Sequence, residues 1–251
     1  MVGEVSILFD GSFDGFLTVV YAVYYEKIVP LSIQVETQAQ LSLDFKPYFI
    51  STDSQKAIKV FNAIREKISE EAALTVYYAF LADEDLQCMA LLRYIQLGFK
   101  VGHMVDSHLQ KDTIREVLQV AKRVGGEAHL LYGFCRFAET KQGVFYCPVT
   151  PKNNILPLLA QHFSQRLMNQ AWVIHDKKRG QAAIYNKKEY VITKAPKNAE
   201  VVYADGEEEM QELWVAFFNT LAIEARKNPK QQRQMLPLHF RGNMTEFTHR
   251  K

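Results

Sequence analysis

Residues 154–185, NILPLLAQHFSQRLMNQAWVIHDKKRGQAAIY, constrain the fold more than any other stretch of the chain. Ile155, Leu159, Phe163 and Leu167 recur every four positions, the period of a helix with one buried face. Ala171 to His175 is then an extended run, and Asp176-Lys177-Lys178-Arg179-Gly180 reads as a tight turn into a second run, Gln181 to Tyr185. Asn186-Lys187-Lys188 is another such turn, leading to Glu189 to Thr193. Turns this short leave no room for a crossover, so the three runs pair as an antiparallel meander. Centring the first turn on Lys178 sets Trp172 opposite Ile184 and Ile174 opposite Ala182 on one face. Val173, His175, Gln181 and Ala183 then take the other face.

Earlier in the chain the pattern is helical. Val5 to Phe9 is a short β-rich run, after which Ser12 suits an N-cap for a helix from Phe13 to Glu26. Asp10 and Asp14 there read either as an acid pair or metal site, or as residues that end a strand and favour a helix N-terminus. Ser32 to Phe49 is mixed, a short strand and a loop. Thr52-Asp53-Ser54 opens a helix to about Ser69, and helical signals continue over Glu71–Leu81, Asp85–Leu97 and Asp112–Val124. Gly125-Gly126 reads as a break. Beyond it, Ala128 to Ala138 and Val144 to Val149 read as strands around a turn at Glu139–Gly143. Glu207 to Lys227 forms a long helix, with Met210, Leu213, Trp214, Phe217, Leu221 and Ala225 inward, and Asn228-Pro229 stops it. The expected fold is α+β: a helix-rich block with an N-terminal strand over 1–126, then an antiparallel sheet over 127–251 with the long helix packed on it and a basic tail.

Composition narrows the function classes. Apolar residues make up 48% of the 251, enough for a sizeable core, and no apolar run approaches a membrane span. The first residues lack a basic stretch ahead of an apolar one, so the reading is a cytoplasmic protein. Net charge is +2, but residues 1–110 hold 8 Lys/Arg against 14 Asp/Glu while residues 111–251 hold 22 against 14. That asymmetry fits either an anionic partner on the second half or two ordinary solvated surfaces. The 3 cysteines include no C-x-x-C, although Cys135 and Cys147 flank a turn and would face each other in a symmetric hairpin. No histidine stands at ligand spacing from a cysteine, and GxGxxG, P-loop and HExxH patterns are absent, so neither a metal nor a cofactor is expected.

The site candidates cluster in the second half. His162 and Arg166 share a helix face, and Lys177, Lys178 and Arg179 follow within one turn, so together they could hold a phosphate. Alternatively Arg166 is half of an internal ion pair with Asp176, Glu212 or Glu224. Lys187, Lys188 and Arg226 add cations. His162, His175 and Asp176 are the acid–base candidates, although adjacent strand residues such as His175 and Asp176 point to opposite faces. Trp172 and Trp214 are either core residues or base-stacking platforms.

Three ordered strings, FDGSFDGFL, HFSQR leading into WVIHDKKRGQA, and FFNTLAIEARKNPKQQ followed by LPLHFR, resemble one bacterial family. It is known as domain of unknown function 4130 and carries the name of a DNA metabolism or repair protein. The resemblance implies an association more than a reaction. Members are typically encoded beside a radical-SAM protein, and related modules are fused to uracil-DNA-glycosylase-like domains. The positions it emphasises are Asp10, Gly11, Phe13, Gly15, His162, Arg166, Trp172, Asp176, Arg179, Arg226, Asn228, Pro229 and Gln231. The leading expectation is an accessory protein that binds nucleic acid or phosphate through its basic half and works with an enzymatic partner. An enzyme acting on a nucleotide or nucleic-acid phosphate and a protein–protein adaptor are the alternatives.

Overall fold

β1 (Val5–Phe9) is apolar on both faces, as a strand flanked by parallel neighbours must be. It lies between β2 (Pro30–Val35) and β3 (Tyr48–Phe49), all parallel, in the order β2-β1-β3. The computed structural model describes residues 5–38, 47–83, 88–221 and 228–248. The chain is α+β and divides into two compact units, 1–125 and 126–251.

In the first unit α1 (Phe13–Tyr21) is capped by Ser12, whose hydroxyl accepts the Gly15 N–H at 2.9 Å. Ala22–Glu26 continues it as a wider π-type turn, after which Lys27 adopts a left-handed conformation at φ 58°. α2 (Ser54–Lys67), α3 (Glu70–Phe80) and α4 (Cys88–Val101) follow, with Asp53 and Ser69 capping the first two. Phe16, Val20, Ala57, Val60, Ile64, Val76 and Ile95 form a core at the three-and-four spacing their helices require.

α5 runs from Asp112 to Phe134, straight through Gly125-Gly126. The expected break and the strand beginning at Ala128 are therefore incorrect. Val117, Ala121, Val124, Ala128 and Leu131 make one continuous buried stripe, and that burial outweighs the roughly 1 kcal/mol each helical glycine costs. Gly125 also lets the Tyr78 ring approach closely, since a Cβ there would lie 3.1 Å from it and the ring would have to shift by a few tenths of an ångström.

The second unit is built on a five-stranded sheet in the order β4-β5-β6-β7-β8. β4 (Ala138–Glu139) and β5 (Phe145–Val149) form a short hairpin. α6 (Leu156–Arg166) then crosses over, so that β6 (Trp172–Asp176) lies parallel to β5. β7 (Gln181–Tyr185) and β8 (Tyr190–Lys194) complete an antiparallel meander with β6. The register differs by one residue from a turn centred on Lys178. Trp172 pairs with Tyr185 and Ile174 with Ala183, because Lys177–Gly180 is a four-residue loop closed by the Gly180 N–H on the Asp176 carbonyl at 2.9 Å. Gly180 has a φ of 64°, the left-handed geometry such a loop needs. A one-residue slip exchanges faces. Tyr185 consequently stacks on buried Trp172 at 5.1 Å, and Ile184 is exposed. Cys135 and Cys147 are free thiols, and a hydrogen bond to Cys147 together with burial holds the Cys135 thiol well above its ordinary range.

α7 (Glu207–Leu221) starts as expected, but residues 222–227 lie outside the described residues, so the expected long helix is described only to Leu221. It packs on α10 (Thr245–Thr248), not on the sheet face. Trp214 donates to Glu246 at 3.0 Å beneath the Arg136 guanidinium, which pairs with the same buried carboxylate at 2.8 Å. Met210, Leu213, Phe217 and Leu221 are 54–64% exposed, so the stripe expected to be core faces outward. Asn228-Pro229 begins a helix instead of only ending one. Asn228 caps α8 (Pro229–Met235) by accepting the Gln231 N–H at 3.1 Å, with proline at the first position. α9 (Leu238–Arg241) follows. Among the described residues no helix is long and apolar enough to cross a membrane.

These burials set an expected contrast in stability. Trp172→Ala should cost ~3–5 kcal/mol, the range for deleting a buried aromatic. Phe217→Ala should cost under ~1 kcal/mol, as an exposed position does. Chemical unfolding of both variants measures the difference, and equal losses would contradict the outward stripe.

Candidate functional site: the basic end of the second unit

Asp176, the last residue of β6, is fully buried, and its carboxylate is completely engaged. It accepts the backbone N–H groups of Lys178 at 3.0 Å and Arg179 at 3.2 Å, and the Arg179 guanidinium at 2.7 Å. Arg179 also donates to the carbonyls of Pro151 at 3.3 Å and Lys152 at 2.6 Å, and Lys178 Nζ reaches the Lys152 carbonyl at 2.9 Å. From the other side Glu127 on α5 accepts the Lys152 and Asn153 N–H groups at 2.6 and 3.0 Å and the Asn153 side chain at 2.7 Å. The loop from β5 to α6 is thus held between a guanidinium and a carboxylate. Lys178 and Arg179 serve that loop first, and Asp176 is the buried half of an ion pair with Arg179, not with Arg166.

His162 and Arg166 lie elsewhere. α6 runs antiparallel to β6, so Arg166 sits at the opposite end of the sheet from the 177–180 turn. A five-residue strand spans ~16 Å, too far for both groups to meet one anion. Arg166 is exposed, and no carboxylate is paired with it among the described residues. The His162 ring stacks on Tyr132 at 4.0 Å and 13°, and burial followed by the Arg166 charge lowers its pKa. β7 carries the chain back, so Lys187 and Lys188 share Arg166's end of the sheet. The expected cations are thus sorted into two ends instead of one pocket. Arg226 lies outside the described residues.

His175 points to the opposite face from Asp176, so the two do not form an acid–base couple. Its Nδ1 is 2.7 Å from the Tyr146 hydroxyl. Burial, then Lys177, lowers the His175 pKa against the pull of Asp176, while burial pushes Tyr146 up to about 12. The phenol and the imidazole share one hydrogen bond there, and His175 Nε2 is buried without a partner among the described residues. Glu127, Asn153, Tyr146 and His239 were not legible as partners of these groups. His239 lies close enough to Lys152 and Glu127 to feel both, with burial the first cause of its lowered pKa. One signal was available, since Glu127 interrupts the buried stripe of α5.

The remaining emphasised positions have structural roles. Asp10 accepts the Ser12 N–H and hydroxyl and the Thr52 hydroxyl at 2.7–2.9 Å, tying the end of β1 to the segment after β3. Burial opposes its charge, but these bonds outweigh it and lower its pKa. A Cβ on Gly15 would meet the Asp10 carboxylate at 2.3 Å, and Gly11 has a φ of 82°. Phe13 packs among Phe61, Tyr77 and Phe80. Trp172 is core, and Asn228, Pro229 and Gln231 build the start of α8. Among the described residues no three His, Cys, Asp or Glu side chains converge as a metal site would require.

Two outcomes follow from this geometry. Arg179→Gln should cost ~3–5 kcal/mol by stranding buried Asp176, whereas Arg166→Gln should leave stability nearly unchanged. Thermal unfolding compares them directly. In addition, native His175 resists protonation while the unfolded chain takes up a proton near pH ~6.5. The stability present above that pH is therefore lost as pH falls. His162 and His239 shift in the same direction, so His175→Gln should reduce the acid-side loss measured from pH 7.5 to 5 without abolishing it.

Comparison with known proteins adds a family. No curated protein matches the chain. Among solved structures, a pGpG-specific phosphodiesterase, PggH from Vibrio cholerae, aligns over 87% of this chain and 99% of its own, at 7% identity and a TM-score of 0.33. A likeness at that level carries no argument about fold or activity. The model of the domain of unknown function DUF4130 matches residues 86–246, well over half the chain and all of the sheet just described, and the protein belongs to that family.

Proposed function

We propose that the protein binds nucleic acid, without reading its sequence, through the β6–β7–β8 meander, and acts in DNA metabolism as an accessory to an enzymatic partner. The carrying observation is the charge of residues 177–197, which hold seven Lys/Arg, Arg179 being already paired with Asp176, against one Glu. Lys177, Lys178, Lys194 and Lys197 lie at one end of the strands, and Lys187 and Lys188 at the other with Arg166. β8 is exposed along its whole length, including Tyr190, Val191 and Ile192. The ~16 Å between the two basic ends corresponds to about five phosphate steps of 3.4 Å rise. Cations at strand ends position a backbone and carry no base-reading pattern. The resemblance to DNA repair-type proteins supports the biological setting and the radical-SAM partner, and three free thiols fit a reducing cytoplasm.

A second reading, a protein–protein adaptor, is favoured by the outward Met210, Leu213, Phe217 and Leu221 stripe of α7, which is the kind of surface a partner helix or groove covers.

Titration of labelled single- and double-stranded DNA at increasing salt tests the first reading. Binding should weaken with salt, and Lys187→Glu/Lys188→Glu should flatten the log–log slope by about 2, one unit for each phosphate no longer neutralised. If neither DNA binds at low salt, direct nucleic-acid binding fails and the adaptor reading replaces it.

A further inference from the structure

The first unit contains a cleft of about 440 Å³ that the basic second half does not account for. It is lined by Val20, Tyr24 and Tyr25 from α1 and its π-type continuation, by Lys59, Val60, Ala63 and Lys67 from α2, by Phe99 from α4, and by Lys27. Its size falls in the ~300–1,000 Å³ range of small-molecule sites. Lys59, Ala63 and Lys67 are four residues apart on α2, so two cations flank one small residue along a single stripe. Neighbouring Lys56 is neutralised by Glu26 at 3.0 Å, whereas Lys27, Lys59 and Lys67 have no carboxylate partner among the described residues. Three exposed ammonium groups around one hollow repel each other, and an anion relieves that repulsion.

The hollow is also aromatic. Tyr24 packs edge-on against Phe99 at 5.4 Å, and burial raises its pKa, so it remains a neutral hydroxyl. Tyr25 is 70% exposed yet not loose, because Tyr21 stacks on it at 4.3 Å and 15°, with Lys56 over the Tyr21 ring. A large ring held out in solvent by a second ring is a preorganised stacking platform. The backbone there is equally unusual. The π-type turn Ala22–Glu26 inserts wider spacing where these tyrosines sit, and Lys27 is one of two non-glycine residues with positive φ among those described.

We propose that this cleft binds a nucleoside phosphate, free or as the 5′-phosphorylated end of a strand, with its phosphates on Lys27, Lys59 and Lys67 and its base on Tyr25. Cations without carboxylates recognise the phosphates, the braced tyrosine recognises a flat base, and Val20, Val60, Ala63 and Phe99 provide an apolar floor. This site lies in a different unit from the meander and does not depend on it.

Calorimetric titration of the full chain tests the proposal, using dATP, inorganic triphosphate, and oligothymidylate with and without a 5′-phosphate. Lys59 and Lys67 are exposed, so Lys59→Gln/Lys67→Gln should keep its melting temperature while losing affinity by about tenfold or more, the scale of charge-assisted hydrogen bonds to phosphate. Tyr25→Ala should weaken dATP severalfold and leave triphosphate unchanged, whereas Lys187→Glu/Lys188→Glu should alter neither. Binding of dATP supports a free nucleotide, and a gain in affinity from the 5′-phosphate that the Lys59→Gln/Lys67→Gln variant loses supports a strand end. The proposal is overturned if no probe saturates below millimolar concentration. It is equally overturned if the double lysine variant binds like the parent, or if Tyr25→Ala loses nothing for dATP relative to triphosphate.

Discussion

The second unit depends on one buried carboxylate. Asp176 ends β6 where the chain must reverse, and it binds two N–H groups of the reversing loop before pairing with Arg179. Those bonds make the loop four residues long, and loop length sets the register of β6 against β7. Register decides which face Trp172, Ile174, Ala183 and Tyr185 share, and hence which face α6 can cover. The guanidinium that neutralises Asp176 then closes on the Pro151 and Lys152 carbonyls, so the same charge pair also positions the start of α6. A buried ion pair is rarely a net gain over apolar packing. Its value here is geometric, since it ties the β6–β7 turn to the loop that opens the crossover helix.

Much of this architecture was legible, and the misses have physical causes. The meander was readable because its turns are too short for any other pairing, and the first helices because Ser12 and Asp53 announce their starts. The Gly125-Gly126 pair misled because propensity is local. A stripe from Val117 to Leu131 supplies burial that no two-residue window reveals. Register was off by one because counting turn residues omits the left-handed Gly180 and the side-chain bonds of Asp176. The stripe of α7 illustrates a different limit. Periodicity establishes that a helix has an apolar face, but Phe217 is exposed while Trp214, a member of the same expected stripe, is drawn to the Arg136–Glu246 pair. Period alone does not say what an apolar face meets.

The expected site was partly legible in the same sense. Its cations were identified, but convergence was inferred from nearness in sequence, and a crossover helix carries its last residue to the far end of the strand. Arg166 and Arg179 are therefore separated by the length of β6, and only one of them has a buried carboxylate as partner. Averaging charge over long segments concealed more than it showed. Residues 1–110 are acidic overall, yet Lys27, Lys59 and Lys67 line one hollow in that half. Lysines at wide helical spacing on α2 were a readable signal. The contribution of Lys27 was not, because it depends on a π-type turn that no residue pattern announced.

Among the described residues, the two non-glycine residues with left-handed backbone are both lysines, Lys27 and Lys187. A lysine held in that region costs of order 1 kcal/mol that an asparagine or glycine would largely avoid. The Asn186 side chain accepts the Lys188 and Glu189 N–H groups at 3.0 and 2.9 Å, so one part of that cost is offset by a local turn bond. Lys27 has no comparable side-chain cap on its own turn among the described residues. What the two positions share is a cation projecting from a tight reversal onto a surface rich in exposed aromatic or branched side chains: Tyr25 near the first, Tyr190 and Val191 after the second. Stability alone gives no reason for a charged side chain at either place. The proposed binding of phosphate would give one, because a reversal that fixes the backbone also limits where the ammonium can reach, and a confined cation loses less entropy on meeting its anion.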